Sequence, residues 1–158
     1  MIGTEFVKAG RAIFTLSVPQ HFVERHTCQD RYTFSVVHKE ASDKWPEAWF
    51  VNLLAGPDNL RDYNPLGKLN PETGAVQLVR SSSYNDHTMP VKLFRRVVAC
   101  LWNVGNSKPE DIENAGFELR HAGRCGRCGR VLTVPESIDT GLGPTCAAKL
   151  IPTFSKWK

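Results

Sequence analysis

Three cysteines, Cys125, Cys128 and Cys146, carry the spacing Cys-x2-Cys-x17-Cys, and no other feature restricts the fold of this chain as strongly. Two thiolates separated by two residues can bind one ion from a single tight turn. Structural Zn2+ takes four tetrahedral ligands and favours thiolate and imidazole. Gly126 and Gly129 suit such a turn, because the backbone must bend closely and aim N–H groups at sulfur. A further ligand from a distant segment then closes a loop around the metal. Gly141-Leu142-Gly143-Pro144-Thr145-Cys146 reads as a helix start with Cys146 in its first turn, where the positive dipole end favours a thiolate. A knuckle, a hairpin over roughly residues 131–138 and a ligand-bearing helix make a treble-clef-like arrangement. No Cys or His follows Cys146, so the fourth ligand is expected upstream, at His121. Cys100 is the rival, but it falls beside the apolar stripe of an expected helix and reads as a core residue. Cys28 reads as a free thiol in a loop. Four protein ligands leave no coordination position for a substrate, so the expected ion is a structural Zn2+ without catalytic work.

The same cysteines argue against a disulfide framework. The chain has five, an odd number, and three of them lie close together. Its first residues lack the basic and apolar regions of a signal peptide, and no apolar run reaches the roughly 18 to 20 residues that span a bilayer. The expected setting is intracellular, with no membrane partner. Hydrophobic residues make up 41% of the 158 and charged residues 23%, which predicts a folded chain.

Upstream of the cysteines the pattern is mostly that of strands. Ala12, Phe14, Leu16 and Val18 alternate to one face. Residues 32–37 are aromatic and β-branched, and residues 49–54 are more continuously apolar, as a central strand would be. Shorter strands are expected at 63–69 and 75–80, joined through Asn70-Pro71-Glu72-Thr73-Gly74. Residues 89–104 predict a helix: Thr88 is placed to cap it, Pro90 lies in its first turn, and Phe94, Val97, Val98 and Leu101 recur at helical spacing. A short strand over 117–120 leads into His121. The expected fold class is α+β: a β-meander or small barrel-like sheet with one covering helix (1–106), a polar connector (107–116), and a zinc-binding module (117–158).

Residues 121–149 resemble a small zinc-finger family common in bacteriophage and phage-like proteins. The resemblance rests on His121, on Cys125-Gly126-Arg127-Cys128-Gly129-Arg130, on Leu132-Thr133-Val134-Pro135-Glu136-Ser137-Ile138, and on Gly141-Leu142-Gly143-Pro144-Thr145-Cys146. Ala9-Gly10-Arg11-Ala12-Ile13-Phe14-Thr15 and Leu54-Ala55-Gly56-Pro57-Asp58-Asn59 resemble the β-rich region that usually precedes this finger. The resemblance implies a zinc site, a phage origin and hence the cytoplasm of a bacterial host. It implies no biochemical activity.

Charge supplies the functional expectation. Residues 120–158 hold seven basic groups against two acidic ones, so the net +4 of the chain is concentrated there. Arg120, Arg124, Arg127, Arg130, Lys149, Lys156 and Lys158 suit a polyanion, and Trp157 adds a ring on which a base can stack. Non-catalytic binding of single-stranded or structured DNA or RNA is therefore the first expectation. A module directed at a host or phage protein is the second. A metal-dependent nuclease built on Asp86 and His87 is the third, and a weaker one, because an Asp-His pair beside a helix start ordinarily serves a turn.

Overall fold

A computed structural model describes residues 2–58, 60–132 and 135–150. Six strands form one antiparallel sheet: β1 (Arg11–Ser17), β2 (Arg31–Lys39), β3 (Ala48–Leu54), β4 (Tyr63–Leu69), β5 (Val76–Leu78) and β6 (Glu118–His121), in the order β5-β4-β3-β2-β1-β6. The first five are a meander, each paired with its predecessor. The chain then crosses to the far edge, where β6 pairs with β1. β5 and β6 are the two edges, so the sheet is open and not a barrel. Among the described residues no helix is long and apolar enough to cross a membrane.

Alternation along β1 buries Ala12, Phe14 and Leu16 on one face. Register continues that face through Phe34 on β2 and Leu53 on β3. Helix α3 (Met89–Leu101) covers it with Val91, Leu93, Phe94, Val97, Val98 and Leu101. Ring centroids of Phe34 and Phe94 are 4.9 Å apart, and Phe14 lies 5.9 Å from Phe34 and 6.2 Å from Phe94. Such offset and tilted aromatic contacts add to the burial of large apolar area.

Five features differ from the sequence expectation. Helix α1 (Thr4–Val7) sinks Phe6 and Val7 into the core, so the segment before β1 is structural. Helix α2 (Gln20–His26) occupies the polar stretch between the first two strands, and helix α4 (Glu110–Asn114) occupies the connector, burying Ile112. Residues 135–140 form helix α5 (Pro135–Thr140) where a hairpin is expected. Proline is well suited to a first helical turn, and Gly141 stops the helix at φ +77°. Thr88 stands at the N-cap of α3, but its hydroxyl turns back to Asn85 and makes no cap.

Truncation of Phe94, which is fully buried at the meeting point of these rings, creates a cavity under the sheet. Phe94→Ala should lower unfolding free energy by about 3–5 kcal/mol, read as a shift of the urea midpoint at unchanged slope.

Candidate metal centre

β6 leads the chain directly into a turn around the first two cysteines. The amide of Ala122 donates to the Ile13 carbonyl at 2.9 Å, extending the β1 pairing by one residue. Arg124 and Val131 then form an isolated antiparallel bridge. Within it the Cys125 N–H donates to Arg130 O at 2.8 Å and the Gly129 N–H to Cys125 O at 2.9 Å, which closes the knuckle. Helix α5 carries the chain away and Gly141 returns it. Helix α6 (Pro144–Leu150) then presents Cys146 from its first turn, as its sequence predicts.

The three sulfurs come together: the Sγ atoms of Cys125, Cys128 and Cys146 all lie within 4.8 Å of one another. Tetrahedral thiolates on a small ion, with metal–sulfur bonds of about 2.3 Å, require sulfurs about 3.8 Å apart. The three cysteines therefore form a set that can hold one metal ion. Cys125 is fully buried and Cys146 nearly so, whereas Cys128 is half-buried beside a cavity of about 330 Å3. Ser137 and Leu132 line that cavity too.

Hydrogen bonding favours the ionised state at Cys125. The Gly143 N–H donates to Cys125 Sγ at 3.3 Å and the Arg127 N–H at 3.4 Å. Burial alone pushes the Cys125 thiol up, but the backbone N–H groups of Gly143, Cys128 and Arg127, with the Cys128 side chain, outweigh it and bring it down to about 7. Burial dominates at Cys146 and holds that thiol above its ordinary value, against the opposing contact from Arg127. A bound cation would reverse this second effect, since metal charge favours thiolate at every ligand.

The remaining residues expected at the site are distributed differently. His121 ends β6 and is not one of the clustered ligands. Its Nδ1 accepts from the Gly123 N–H at 2.9 Å, its Nε2 meets the carbonyl oxygen of Ile138, and its ring lies 5.9 Å from that of Phe6. Arg127 is exposed but reaches back to the cluster, with Nη1 3.7 Å from Cys146 Sγ. Arg120 pairs with Glu118 at 3.2 Å on the sheet edge. Arg124 donates to the Gly129 carbonyl at 3.1 Å and, like Arg130 and Lys149, is exposed. Lys156, Trp157 and Lys158 lie outside the described residues, as do Thr133 and Val134 of the finger motif. Cys100 is buried in α3, and Cys28 is half-buried. Asp86 is engaged by Arg95 at 2.6 Å, an ion pair that ties the preceding turn to α3.

Two contributors carry no cue in the cysteine motif. Phe6 packs under the knuckle: a Cβ at Gly126 would stand 2.7 Å from its Cδ1, and one at Gly141 would collide with the same edge. Both positions are therefore restricted to glycine by close approach, and Gly141 also by its left-handed backbone. Arg11, at the start of β1, donates its N–H to Gly126 O at 2.6 Å and its guanidinium to Cys128 O at 3.4 Å. Tight Gly-x-Gly-Pro spacing signals that something must approach closely, but it does not identify Phe6 as the partner.

Residues 117–151 match the model of a family described as a family of unknown function (DUF6011). The matched segment contains all three clustered cysteines and His121. No curated protein and no solved structure matches the chain.

Strand pairing holds β6, and an ion on the three sulfurs would hold the knuckle, which gives a residue-level test. Chelation should release the protection of backbone amides over residues 124–147, whereas residues 118–121 should keep theirs through β1. Hydrogen exchange followed by NMR, with and without chelator, reads both segments. Equal loss across both would show that β6 depends on the metal.

Proposed function

We propose that the chain is a zinc-binding, non-catalytic nucleic-acid-binding protein, with the cysteine knuckle as one contact surface. The observation that carries the reading is the exposure of Arg124 and Arg130 on a knuckle that has no acidic residue between 122 and 132. Arg127 is the cation that answers the thiolates, so Arg124 and Arg130 are left for a partner. Phosphate recognition uses this kind of exposed guanidinium, alone or in a bidentate contact. Lys149 on α6 adds a third cation in the same module.

Binding should weaken steeply with salt, because phosphate contacts release counterions. The double variant Arg124→Glu/Arg130→Glu should lower affinity at 50 mM salt by at least about tenfold and reduce the log–log salt slope by about 2. Fluorescence anisotropy with labelled DNA and RNA measures both. An unchanged slope removes the knuckle from the interface. A stoichiometric protein that stays bound after nuclease treatment would favour the protein-directed alternative.

For the ion we propose Zn2+ with His121 as fourth ligand. His121 sits four residues before Cys125 at the end of a hydrogen-bonded strand, and Gly123 between them has φ +78°. Rotation there would exchange the Gly123 and Ile138 contacts of the ring for the metal. Co2+ substitution tests this. His121→Ala should weaken Co2+ binding and shift the visible d–d bands while leaving thiolate charge transfer in place. Identical spectra and affinity would exclude the ligand.

A further inference from the structure

The sheet face opposite α3 has a built surface of its own. Register places Arg11, Val37, Phe50, Lys68 and Gln77 in one row across five strands. The next row runs Ile13, Ser35, Asn52 and Pro65. Around Phe50 lies a concavity of about 1130 Å3, floored by Val37, Phe50 and Asn52. Lys39, Lys68 and Arg80 line it, and Glu40 is the single acidic side chain among its described lining residues. None of those three cations forms an ion pair among the described residues.

Two aromatic rings face this space. Phe50 is half-buried, with the Lys68 ammonium 5.6 Å from its ring centroid. Trp45 is 71% exposed, although its loop is fixed by Ser42 N–H to Trp45 O at 2.8 Å and by Trp45 N–H to Ser42 Oγ at 3.2 Å. An ordered loop that holds an indole in solvent presents a stacking surface already arranged.

From this arrangement we infer that the open face binds a short stretch of single-stranded nucleic acid. Bases stack on Trp45 and, once the Lys68 ammonium swings from over its ring to a phosphate, on Phe50, and Lys39 and Arg80 hold further phosphates. Aromatic rings interleaved with unpaired cations match the alternation of base and phosphate. Only unpaired bases can reach the rings, so duplex is disfavoured. A protein partner fits less well, because the floor is interrupted by the polar Asn52, whose amide donates to the buried Ser35 hydroxyl at 3.3 Å. The row also begins at Arg11, which touches the knuckle through Cys128 O. A strand on this face can therefore continue toward Arg124 and Arg130. The inference rests on the nucleic-acid reading above but assigns a second surface, with its own residues and strand preference.

The test uses the full chain and a fluorescein-labelled 12-residue oligothymidylate, read by anisotropy. Trp45→Ala and Phe50→Leu should each weaken binding about 5- to 100-fold. Lys68→Ala should reduce the salt slope by about 1. Unlabelled single strand should compete, and duplex of the same length should compete poorly. Phe50→Leu keeps apolar bulk, and Trp45 is exposed, so unchanged circular dichroism and melting separate lost stacking from lost fold. Wild-type affinity in both aromatic variants, alongside weakened binding in Arg124→Glu/Arg130→Glu, would overturn this inference and leave the knuckle reading intact. Equal competition by duplex would also overturn it. Absence of binding to any DNA or RNA would remove both. Loss of a nuclease-resistant protein partner in Trp45→Ala would reassign the face to protein.

Discussion

Phe6 lies where the sheet and the cysteine knuckle fit together. Its ring contacts Phe14 edge-on at 6.3 Å within the core and lies against Gly126 and Gly141 on the other side. Through Phe14 it joins the cluster with Phe34 and Phe94 that holds α3 to the sheet. Gly126 lies between Cys125 and Cys128, and Gly141 sets the return toward Cys146. The positions of all three sulfurs thus depend on a side chain over a hundred residues away in sequence. Hydrogen bonds from Arg11 to Gly126 and Cys128 reinforce the same junction. Neither contact is strong alone, but each fixes backbone that the metal ligands require.

Local pattern made most of the sheet legible. Alternation in β1, the β-branched run in β2 and the apolar run in β3 each specify an extended segment with one buried face, and those segments pair in sequence order. Legibility ended where structure depends on distant partners. β6 is only four residues long, and its value lies in the antiparallel register with β1, which no local signal specifies. Helix α2 lies in a stretch of mixed polarity with no fully buried residue, so it has almost no amphipathic signature to read. Helix α5 illustrates a different failure. A hairpin is a reasonable expectation between two ligand segments, yet Pro135 and Gly141 are the start and stop signals of a short helix, and local chemistry prevails.

The candidate site divides in the same way. Spacing singled out Cys125, Cys128 and Cys146, and the structure brings their sulfurs within 4.8 Å of one another, as a shared ion would require. The same logic is weaker for His121, a residue with two ring nitrogens and local partners for both. Arginine function was the least legible. Arg120, Arg124, Arg127 and Arg130 look equivalent in a linear motif. In three dimensions all four are exposed, but one pairs with Glu118, one lies beside Cys146 Sγ, and the other two have no such charge partner among the described residues.

That separation of roles follows from electrostatics. Three thiolates on a divalent ion leave a net negative charge near the protein surface, and a guanidinium beside one sulfur offsets it at short range. If Arg127 were free, the knuckle would present a mixed field to a polyanion. With Arg127 beside Cys146 Sγ, the thiolate charge of a metal-bound centre would be screened locally, and Arg124 and Arg130 would face solvent beside a nearly neutral site. Arg11 extends the cationic line from the knuckle into the row of Val37, Phe50 and Lys68, because its backbone belongs to β1 while its side chain reaches the Cys128 carbonyl. The cysteine knuckle and the sheet are thereby coupled through β1 as well as through β6 and Phe6.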